Sequence, residues 1–134
     1  GIKQLLRDLI KQGVLCLVAT SKPEIYAKKI LDYYELSNYF YYIAGANMDG
    51  TRTDKAEVIA YALKQIPAEY SNKKVLMVGD RSHDIIGAKK NGIDCAGVLF
   101  GYGSREELEE AGADFVADSV EAVRNIVFLN AAKN

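Results

Sequence analysis

Two aspartates that follow a short apolar run are the residues of this chain best suited to chemistry. In VLMVGDRSHD, residues 75–84, the apolar residues end at Gly79, and Asp80 and Asp84 follow four positions apart. The run predicts a buried parallel strand, and open parallel sheets bind ligands just beyond the carboxyl ends of their strands. Two carboxylates held there repel one another unless a cation or proton lies between them, and hard oxygen ligands favour Mg²⁺. The segment therefore suggests a magnesium site.

The alternative for the same two aspartates is a structural role. Asp80 would shape the turn after the strand, and Asp84 would cap the helix that follows, as acidic residues at helix starts commonly do. The segment alone is compatible with both interpretations.

Three further polar residues follow a predicted strand or open a predicted helix. Thr20 and Ser21 come after the apolar run VLCLVA, where hydroxyls and backbone N–H groups at a helix amino terminus can hold phosphate oxygens. Helix capping by Ser21 is the simpler alternative. Lys55 directly follows Asp54 in the first turn of a predicted helix, where a cation opposes the helix dipole at a cost of roughly a few tenths of a kcal/mol. Such a lysine could neutralise a phosphate or pair with a carboxylate.

Other polar residues near the aspartates are given lesser roles. His83 is the only histidine, and without a second one we expect it to be solvated or to lie behind a site rather than to catalyse. Arg81 is expected to reach an anionic ligand or to face water. Gly101 and Gly103 are interpreted as a tight turn before a capped helix, because the full dinucleotide-binding spacing is absent.

Alternating strand and helix patterns must position these groups. After an amphipathic helix that stops at Gly13, strands are predicted over 14–19, 41–44, 75–78, 95–100 and 115–116. Helices follow the strands, with predicted capping pairs Ser21 with Glu24, Ser104 with Glu107, and Asp118 with Glu121.

This alternation, with right-handed crossovers, predicts an α/β fold with a doubly wound parallel sheet and helices on both faces. The carboxyl ends of the strands of such a sheet lie along one edge. We therefore expect Thr20, Lys55, Asp80 and Asp84 to converge on one pocket.

Composition narrows the class of protein. The chain has 134 residues, of which 49% are hydrophobic, which suits a single domain over 1–134. Its 17 Lys and Arg residues nearly balance 18 Asp and Glu residues, so neither nucleic acid nor an anionic membrane is an expected partner. No apolar run approaches about 18 residues, and the amphipathic amino-terminal segment does not have the pattern of a signal peptide, so a cytoplasmic location is expected. Cys16 and Cys95 are expected to be reduced core thiols.

Three segments together resemble the haloacid dehalogenase-like hydrolases, and most closely the phosphoglycolate phosphatase type. They are VATSKP at 18–23, DGTRTDK at 49–55 and GDRSHDIIGAKKNGI at 79–93, and GVLFGYGSREELEEAGADFVADS at 97–119 is similar to the same branch. By this resemblance Thr20, with Ser21, would bind phosphate, and Lys55 would be the lysine of the third motif. Asp80 and Asp84 would be the magnesium-binding acids of the fourth.

The resemblance also implies a first motif, D-x-D-G-T, whose first aspartate attacks phosphorus. The 134 residues contain no such segment. MDGT at 48–51 imitates it but lacks that aspartate and lies in the loop before Lys55, so Asp49 is not expected to be a nucleophile. The chain thus resembles the carboxyl-terminal part of a longer enzyme, without its nucleophile and cap, and is expected to be weakly active or inactive alone.

The missing motif has a structural consequence as well. In the family its strand lies between those that match 14–19 and 75–78, so exposed strand edges are expected here. Either direct pairing of these two strands or a strand from another chain would cover the edges, and the second favours self-association.

The implied function is that of a magnesium-dependent phosphomonoesterase acting on a small phosphorylated metabolite, through an aspartyl-phosphate in the intact enzyme. A non-catalytic binding or assembly module that retains the fold is the alternative. A phosphoacceptor receiver domain is disfavoured, because it has its acids early and its lysine late, whereas here Lys55 precedes Asp80 by 25 positions.

Overall fold

Parallel strands flanked by helices make up the chain, which confirms the expected α/β class. The structure is a computed structural model and describes residues 1–132, with side chains up to Leu129. The chain forms two compact units, Gly1–Ile66 and Pro67–Asn134. The expected single domain stays a prediction, because the compactness of a unit does not show whether it folds independently.

The first unit is built on two parallel strands. Its elements are α1 (Ile2–Lys11), β1 (Leu17–Pro23), α2 (Glu24–Tyr33), β2 (Tyr42–Ala46) and α3 (Lys55–Lys64), with a 3₁₀ turn at Ser37–Tyr39. Strand β1 pairs with β2 in the register Val18 to Ile43. The apolar stripe of α3 packs on this sheet, and Ala44 and Val58 are fully buried in its core. This stripe places the first residue of α3, Lys55, close to the sheet.

Strand β1 extends further than the sequence predicted. The expected helix cap at Ser21 is wrong: Ser21 lies in β1, and α2 begins at Glu24 with Pro23 at its N-cap position and no side-chain cap. The pairing register shifts between Ala19 and Pro23. The capping pattern predicted a helix start because it does not distinguish a cap from an irregular strand end that carries the same residues.

The second unit is a three-stranded parallel sheet with strand order β3, β4, β5. Its elements are β3 (Leu76–Gly79), α4 (Ser82–Lys90), β4 (Asp94–Val98), α5 (Arg105–Ala111), β5 (Phe115–Ala117) and α6 (Val120–Ala132), after a 3₁₀ turn at Ala68–Tyr70. Ile85, Cys95 and Leu108 are fully buried together in its core. Burying a side chain the size of Ile85 or Leu108 contributes about 1.5–3 kcal/mol, so this cluster fixes α4 and α5 on the sheet.

The described strands form two ladders rather than one. Strand β1 pairs in the two-stranded sheet of the first unit and β3 in the three-stranded sheet of the second, and the direct pairing expected between them stays a prediction. Each is an edge strand of its own sheet. Val78 of β3 is 40% exposed, which is unusual for a strand predicted to be buried on both faces.

Two predicted helix starts have different outcomes. The Ser104 side chain caps α5 by accepting a hydrogen bond from Glu107 N at 3.1 Å, as predicted. The last helix is capped by Ser119, whose Oγ accepts from Ala122 N at 3.0 Å, rather than by Asp118. Both residues favour N-cap positions, and the pattern was therefore ambiguous by one residue.

The two cysteines and the apolar character of the helices were both the subject of expectations drawn from composition. Cys16 and Cys95 carry free thiols, with Cys95 fully buried. Within the part of the chain that the structure describes, no helix combines the length and the apolar character needed to cross a bilayer.

Candidate metal and phosphate sites

Asp84 is a buried carboxylate in the first turn of α4. It is 4% exposed, and its Oδ2 accepts hydrogen bonds from Asp80 N at 3.0 Å and Arg81 N at 3.1 Å. A side chain at Gly79 would collide with this carboxylate, so only glycine leaves room for it. Asp84 therefore does shape the helix start, as the structural alternative proposed. Its burial goes beyond what a cap requires, because a buried carboxylate is costly unless partners compensate for lost water.

Asp80 lies at the carboxyl end of β3 and is held by the loop after β4. Its Oδ2 accepts a hydrogen bond from Tyr102 N at 2.9 Å. A side chain at Gly101 would collide with the Asp80 carboxylate, and one at Gly103 with the Asp80 backbone carbonyl. The two glycines are thus required by the close approach of this loop to Asp80, which the interpretation as a simple turn missed.

Glu107 is a residue of this site that the sequence analysis assigned elsewhere. Instead of closing a capping box on α5, its Oε2 accepts from Ser82 N at 2.7 Å and from Arg81 Nε at 3.0 Å. These two hydrogen bonds lower the pKa of Glu107, the bond from Ser82 N most strongly. Arg81 is therefore paired with a carboxylate, while its side chain, 46% exposed, still faces water as one of the two predicted alternatives had it. The spacing from Ser104 to Glu107 was the available signal, but it indicated a local cap.

The donor set fits a hard cation. Asp80 and Asp84 offer carboxylate oxygens, and Mg²⁺ is commonly bound through one or two carboxylates with water and substrate phosphate completing its shell. Within the described part of the chain, no group of three or more His, Cys, Asp or Glu residues is placed to hold a metal, so a soft or multidentate protein site is not indicated. The His83 side chain is 57% exposed, with Nε2 3.9 Å from Asp84 Oδ1, in keeping with a solvated histidine.

In the first unit, Lys55 and Thr20 lie at the point in β1 where the regular pairing with β2 ends, just after Ala19. The Lys55 Nζ donates to the carbonyl oxygen of Ala19 at 3.1 Å, and Thr20 is the next residue. The Thr20 Oγ1 accepts from Lys22 N at 3.2 Å within the irregular strand end. Lys55 is the first residue of α3, as predicted, with Asp54 as its cap through Ala56 N at 3.1 Å.

Ser21 is exposed in the same irregular strand end. The structure therefore places Thr20 with Lys55 in the first unit and Asp80 with Asp84 in the second. The convergence of the two pairs on one pocket stays a prediction.

Arg52 fixes the loop that precedes Lys55, a role that no sequence pattern indicated. Its backbone is left-handed, with φ of 54°. Its Nε donates to the carbonyl oxygen of Gly45 at 2.8 Å, and its guanidinium carbon lies 3.7 Å from the centre of the Tyr61 ring. A hydrogen bond of 2.8 Å also joins the hydroxyls of Tyr61 and Tyr42. These contacts tie the loop to β2 and α3.

Asp49 is engaged in the turn of its own loop. Its Oδ1 accepts from both the backbone N, at 3.0 Å, and the hydroxyl of Thr51. The side-chain hydrogen bond from Thr51 lowers the pKa of Asp49 most, and the backbone one adds to it. The expectation that MDGT is not the nucleophile motif stays a prediction.

Comparison with known proteins now places the chain in a family. The sequence model described as haloacid dehalogenase-like hydrolase matches residues 1–98, and the chain belongs to this family. The solved structure of a predicted phosphatase from Clostridium acetobutylicum superposes with a TM-score of 0.87 and 40% identity, covering 96% of this chain and 58% of that one.

Curated relatives carry different names. A 5'-nucleotidase from Pseudomonas aeruginosa is 38% identical over 129 residues, 95% of this chain and 57% of that protein. The tyrosine-protein kinase PtkA from Mycobacterium tuberculosis is 42% identical over 116 residues, 87% of this chain and 39% of that protein. A phosphoglycolate phosphatase from Pseudomonas fluorescens is 30% identical over 122 residues, 90% of this chain and 43% of that protein.

The family match confirms the resemblance to the haloacid dehalogenase-like hydrolases inferred from the motifs, and a phosphoglycolate phosphatase is among the relatives. The chain spans about half the length of the curated relatives that it matches. Because the relatives include both phosphatases and a protein named as a kinase, membership of the family does not identify a substrate.

Proposed function

We propose that this chain carries the magnesium-binding and phosphate-binding parts of a phosphomonoesterase that acts on a small phosphorylated metabolite. The proposal includes Mg²⁺ as the cofactor, Thr20, Ser21 and Lys55 as phosphate contacts, and Asp80 with Asp84 as metal ligands. It places the intact enzyme in the cytoplasm. Relatives named as phosphatases support the reaction class.

The observation that carries the proposal is the arrangement of Asp80 and Asp84. Two carboxylates lie at the carboxyl end of one strand, one of them 4% exposed, with Gly79 and Gly101 leaving room for them. Capping a helix needs one acceptor at its start. The presence of a second carboxylate, with glycines that leave room for both, is better explained by a bound cation, which removes the repulsion between the two carboxylates.

Each residue would have a separate task in the proposed reaction. A bound Mg²⁺ would neutralise negative charge on the transferring phosphoryl group. The Lys55 ammonium would also neutralise charge on that group, from its position beside Ala19 of β1, and the Thr20 hydroxyl and the backbone beside it would orient a phosphate oxygen. The nucleophile would be an aspartate outside these 134 residues, which would form the aspartyl-phosphate that water then hydrolyses.

Removing the Lys55 charge from the whole enzyme tests the phosphatase assignment. We expect Lys55→Met to lower magnesium-dependent hydrolysis of an aryl phosphate by about 10²–10³-fold, the range seen when one preorganised charge-stabilising group is lost. Lys64→Met, which removes an exposed charge from the last turn of the same helix, is the control and should keep its turnover. Equal rates for the two variants would contradict the role of Lys55.

The 134-residue chain alone provides a second test. Its rate of hydrolysis of an aryl phosphate with Mg²⁺ should stay near that of the uncatalysed reaction, because these 134 residues lack the first motif and the nucleophile that it carries. Robust hydrolysis by the chain that Asp80→Asn abolishes would overturn the claim that an outside aspartate is needed.

A binding or assembly module is the second candidate, and the position of β3 at one edge of its own sheet favours it. Association of the chain in solution without affinity for inorganic phosphate would support this candidate. Phosphate binding that Lys55→Met weakens would favour the enzyme.

A further inference from the structure

Glu107 connects the amino termini of two helices of the second unit. It lies in the first turn of α5, where Ser104 Oγ accepts a hydrogen bond from its backbone N at 3.1 Å. Its carboxylate, however, points to the start of α4, where Oε2 accepts from Ser82 N at 2.7 Å and from Arg81 Nε at 3.0 Å. A charge-assisted acceptor shared in this way fixes one helix start relative to the other.

The segment that Glu107 holds is the one that carries the two aspartates. Three successive backbone N–H groups, those of Asp80, Arg81 and Ser82, all donate to carboxylates: the first two to Asp84 and the third to Glu107. The Asp80 carboxylate is held in turn by Tyr102 N from the loop that leads to α5. Glu107 and Tyr102 therefore restrain residues 80–84 from the same side of the fold.

We propose that Glu107 is a positioning residue for the cation site, which holds Asp80 and Asp84 at the separation and orientation that Mg²⁺ requires. The inference depends on the proposed magnesium site. Glu107 itself is not assigned as a metal ligand. It acts through the backbone between the two aspartates, as the outer partners of metal ligands do elsewhere.

The ratio of the Mg²⁺ affinity to the Ca²⁺ affinity distinguishes a positioning role of Glu107 from a simple contribution of its negative charge. Mg²⁺ demands near-ideal octahedral geometry, whereas Ca²⁺ accepts flexible and irregular shells. Loss of a negative charge alone weakens both cations by a similar factor. Loosening of the aspartates weakens Mg²⁺ more, so the ratio of the two affinities measures the positioning role.

The experiment is a calorimetric titration of the full chain with Mg²⁺ and with Ca²⁺. Glu107→Gln should weaken Mg²⁺ binding by about tenfold, the lower end of the range for outer partners of metal ligands, and should weaken Ca²⁺ binding distinctly less. Glu106→Gln is the matched control: it removes an exposed charge from the same turn of α5 and should leave the affinity ratio unchanged.

Amide hydrogen exchange is the second measurement, and it does not depend on metal. The Ser82 amide should exchange faster in Glu107→Gln than in the unaltered chain, and at the unaltered rate in Glu106→Gln. Circular dichroism of both variants should show the folded spectrum, and Arg81→Gln serves as a milder variant if Glu107→Gln does not fold.

The outcomes separate the inference from the proposed function. If the unaltered chain binds no Mg²⁺, the proposed cation site is overturned and this inference with it. If the unaltered chain binds Mg²⁺ but Glu107→Gln keeps the same affinity ratio and the same Ser82 exchange rate, only the positioning role is overturned.

Discussion

Contacts between residues far apart in the sequence hold the candidate site residues in place: Asp80 accepts from Tyr102 N, and Lys55 donates to the carbonyl oxygen of Ala19. Asp80 and Asp84 lie after a strand, and Lys55 opens a helix beside the end of another, as predicted. Glu107 and Arg52 were missed, because their contacts are with residues 25 and 7 positions away respectively. A residue that satisfies a local pattern, as Glu107 does, gives no sequence signal that its side chain is used elsewhere.

The hydroxyl pair of Tyr42 and Tyr61 allows a pH prediction. Sharing a hydrogen bond with Tyr61, together with burial, raises the pKa of Tyr42 to about 12, above the usual value of about 10. Because the folded pKa is raised, the contribution of this group to stability is full below the ordinary pKa and is lost as the pH rises through about 12.

We therefore expect Tyr61→Phe to move the ionisation of Tyr42 back towards its ordinary range, and ultraviolet titration of tyrosinate measures it. Tyr33→Phe is the control, since the Tyr33 ring is 80% exposed, and it should leave the late-ionising tyrosine in place. A late ionisation that survives in Tyr61→Phe would refute the assignment.

A second pH prediction concerns the carboxylate of Glu107. Hydrogen bonds from Ser82 N and Arg81 lower the pKa of Glu107 in the folded chain. The contribution of this group to stability is therefore present above the usual glutamate pKa of about 4.3. It is lost as the pH falls through the lower pKa of the folded state. The pH dependence of urea unfolding should accordingly be shallower below about pH 4.3 in Glu107→Gln than in the unaltered chain. Identical slopes would mean that the carboxylate is not held as described.

At the level of elements, apolar runs predicted the strands to within a few residues, whereas the ends of elements were less predictable. β1 extends to Pro23, and α6 is capped by Ser119 rather than Asp118. In both cases neighbouring residues have similar local preferences, and tertiary pairing decides between them. Lys55 was placed correctly in the first turn of α3, and Asp54, whose residue type favours the N-cap position, caps that helix in the structure.

The Asp54 cap sets where α3 and Lys55 begin, and its removal has a defined cost. Asp54→Ala should lower the free energy of unfolding by about 1 kcal/mol, the usual value for an N-cap, while Asp54→Asn should lose only a few tenths. Urea unfolding of the two variants measures the difference. Equal losses would indicate that charge, not the hydrogen bond to Ala56 N, accounts for the effect.

For the molecule as a whole, the sequence predicted the α/β class and the family, but not how the strands pair. The first unit has a ladder of two strands and the second a ladder of three. Pairing between strands that are distant in sequence depends on which neighbours are present, and a short apolar run does not specify its partner. Strand β3 lies at one edge of its own sheet, and Val78 is 40% exposed, but the expectation of exposed edges stays a prediction.

Self-association through the β3 edge is the prediction at this scale. An unpaired edge strand is a template for another chain, and lysine on such a strand opposes this pairing. Sedimentation equilibrium should show concentration-dependent association of the unaltered chain, and Val78→Lys should abolish it. Ile86→Lys, at a residue 45% exposed on α4, is the control and should still associate. A chain that stays monomeric, or two variants that behave alike, would contradict the use of this edge.

The most direct test of the central claim, that Asp80 and Asp84 bind Mg²⁺, is a magnesium titration of the chain followed by amide chemical shifts in NMR spectra. The amides of Asp80, Arg81 and Tyr102 donate to these two carboxylates and should shift most. The changes should disappear in Asp80→Asn and persist in Asp94→Asn, at an exposed residue that begins β4. Shifts confined to the exposed acids of α5, or no saturable shift at residues 80–84, would contradict the account.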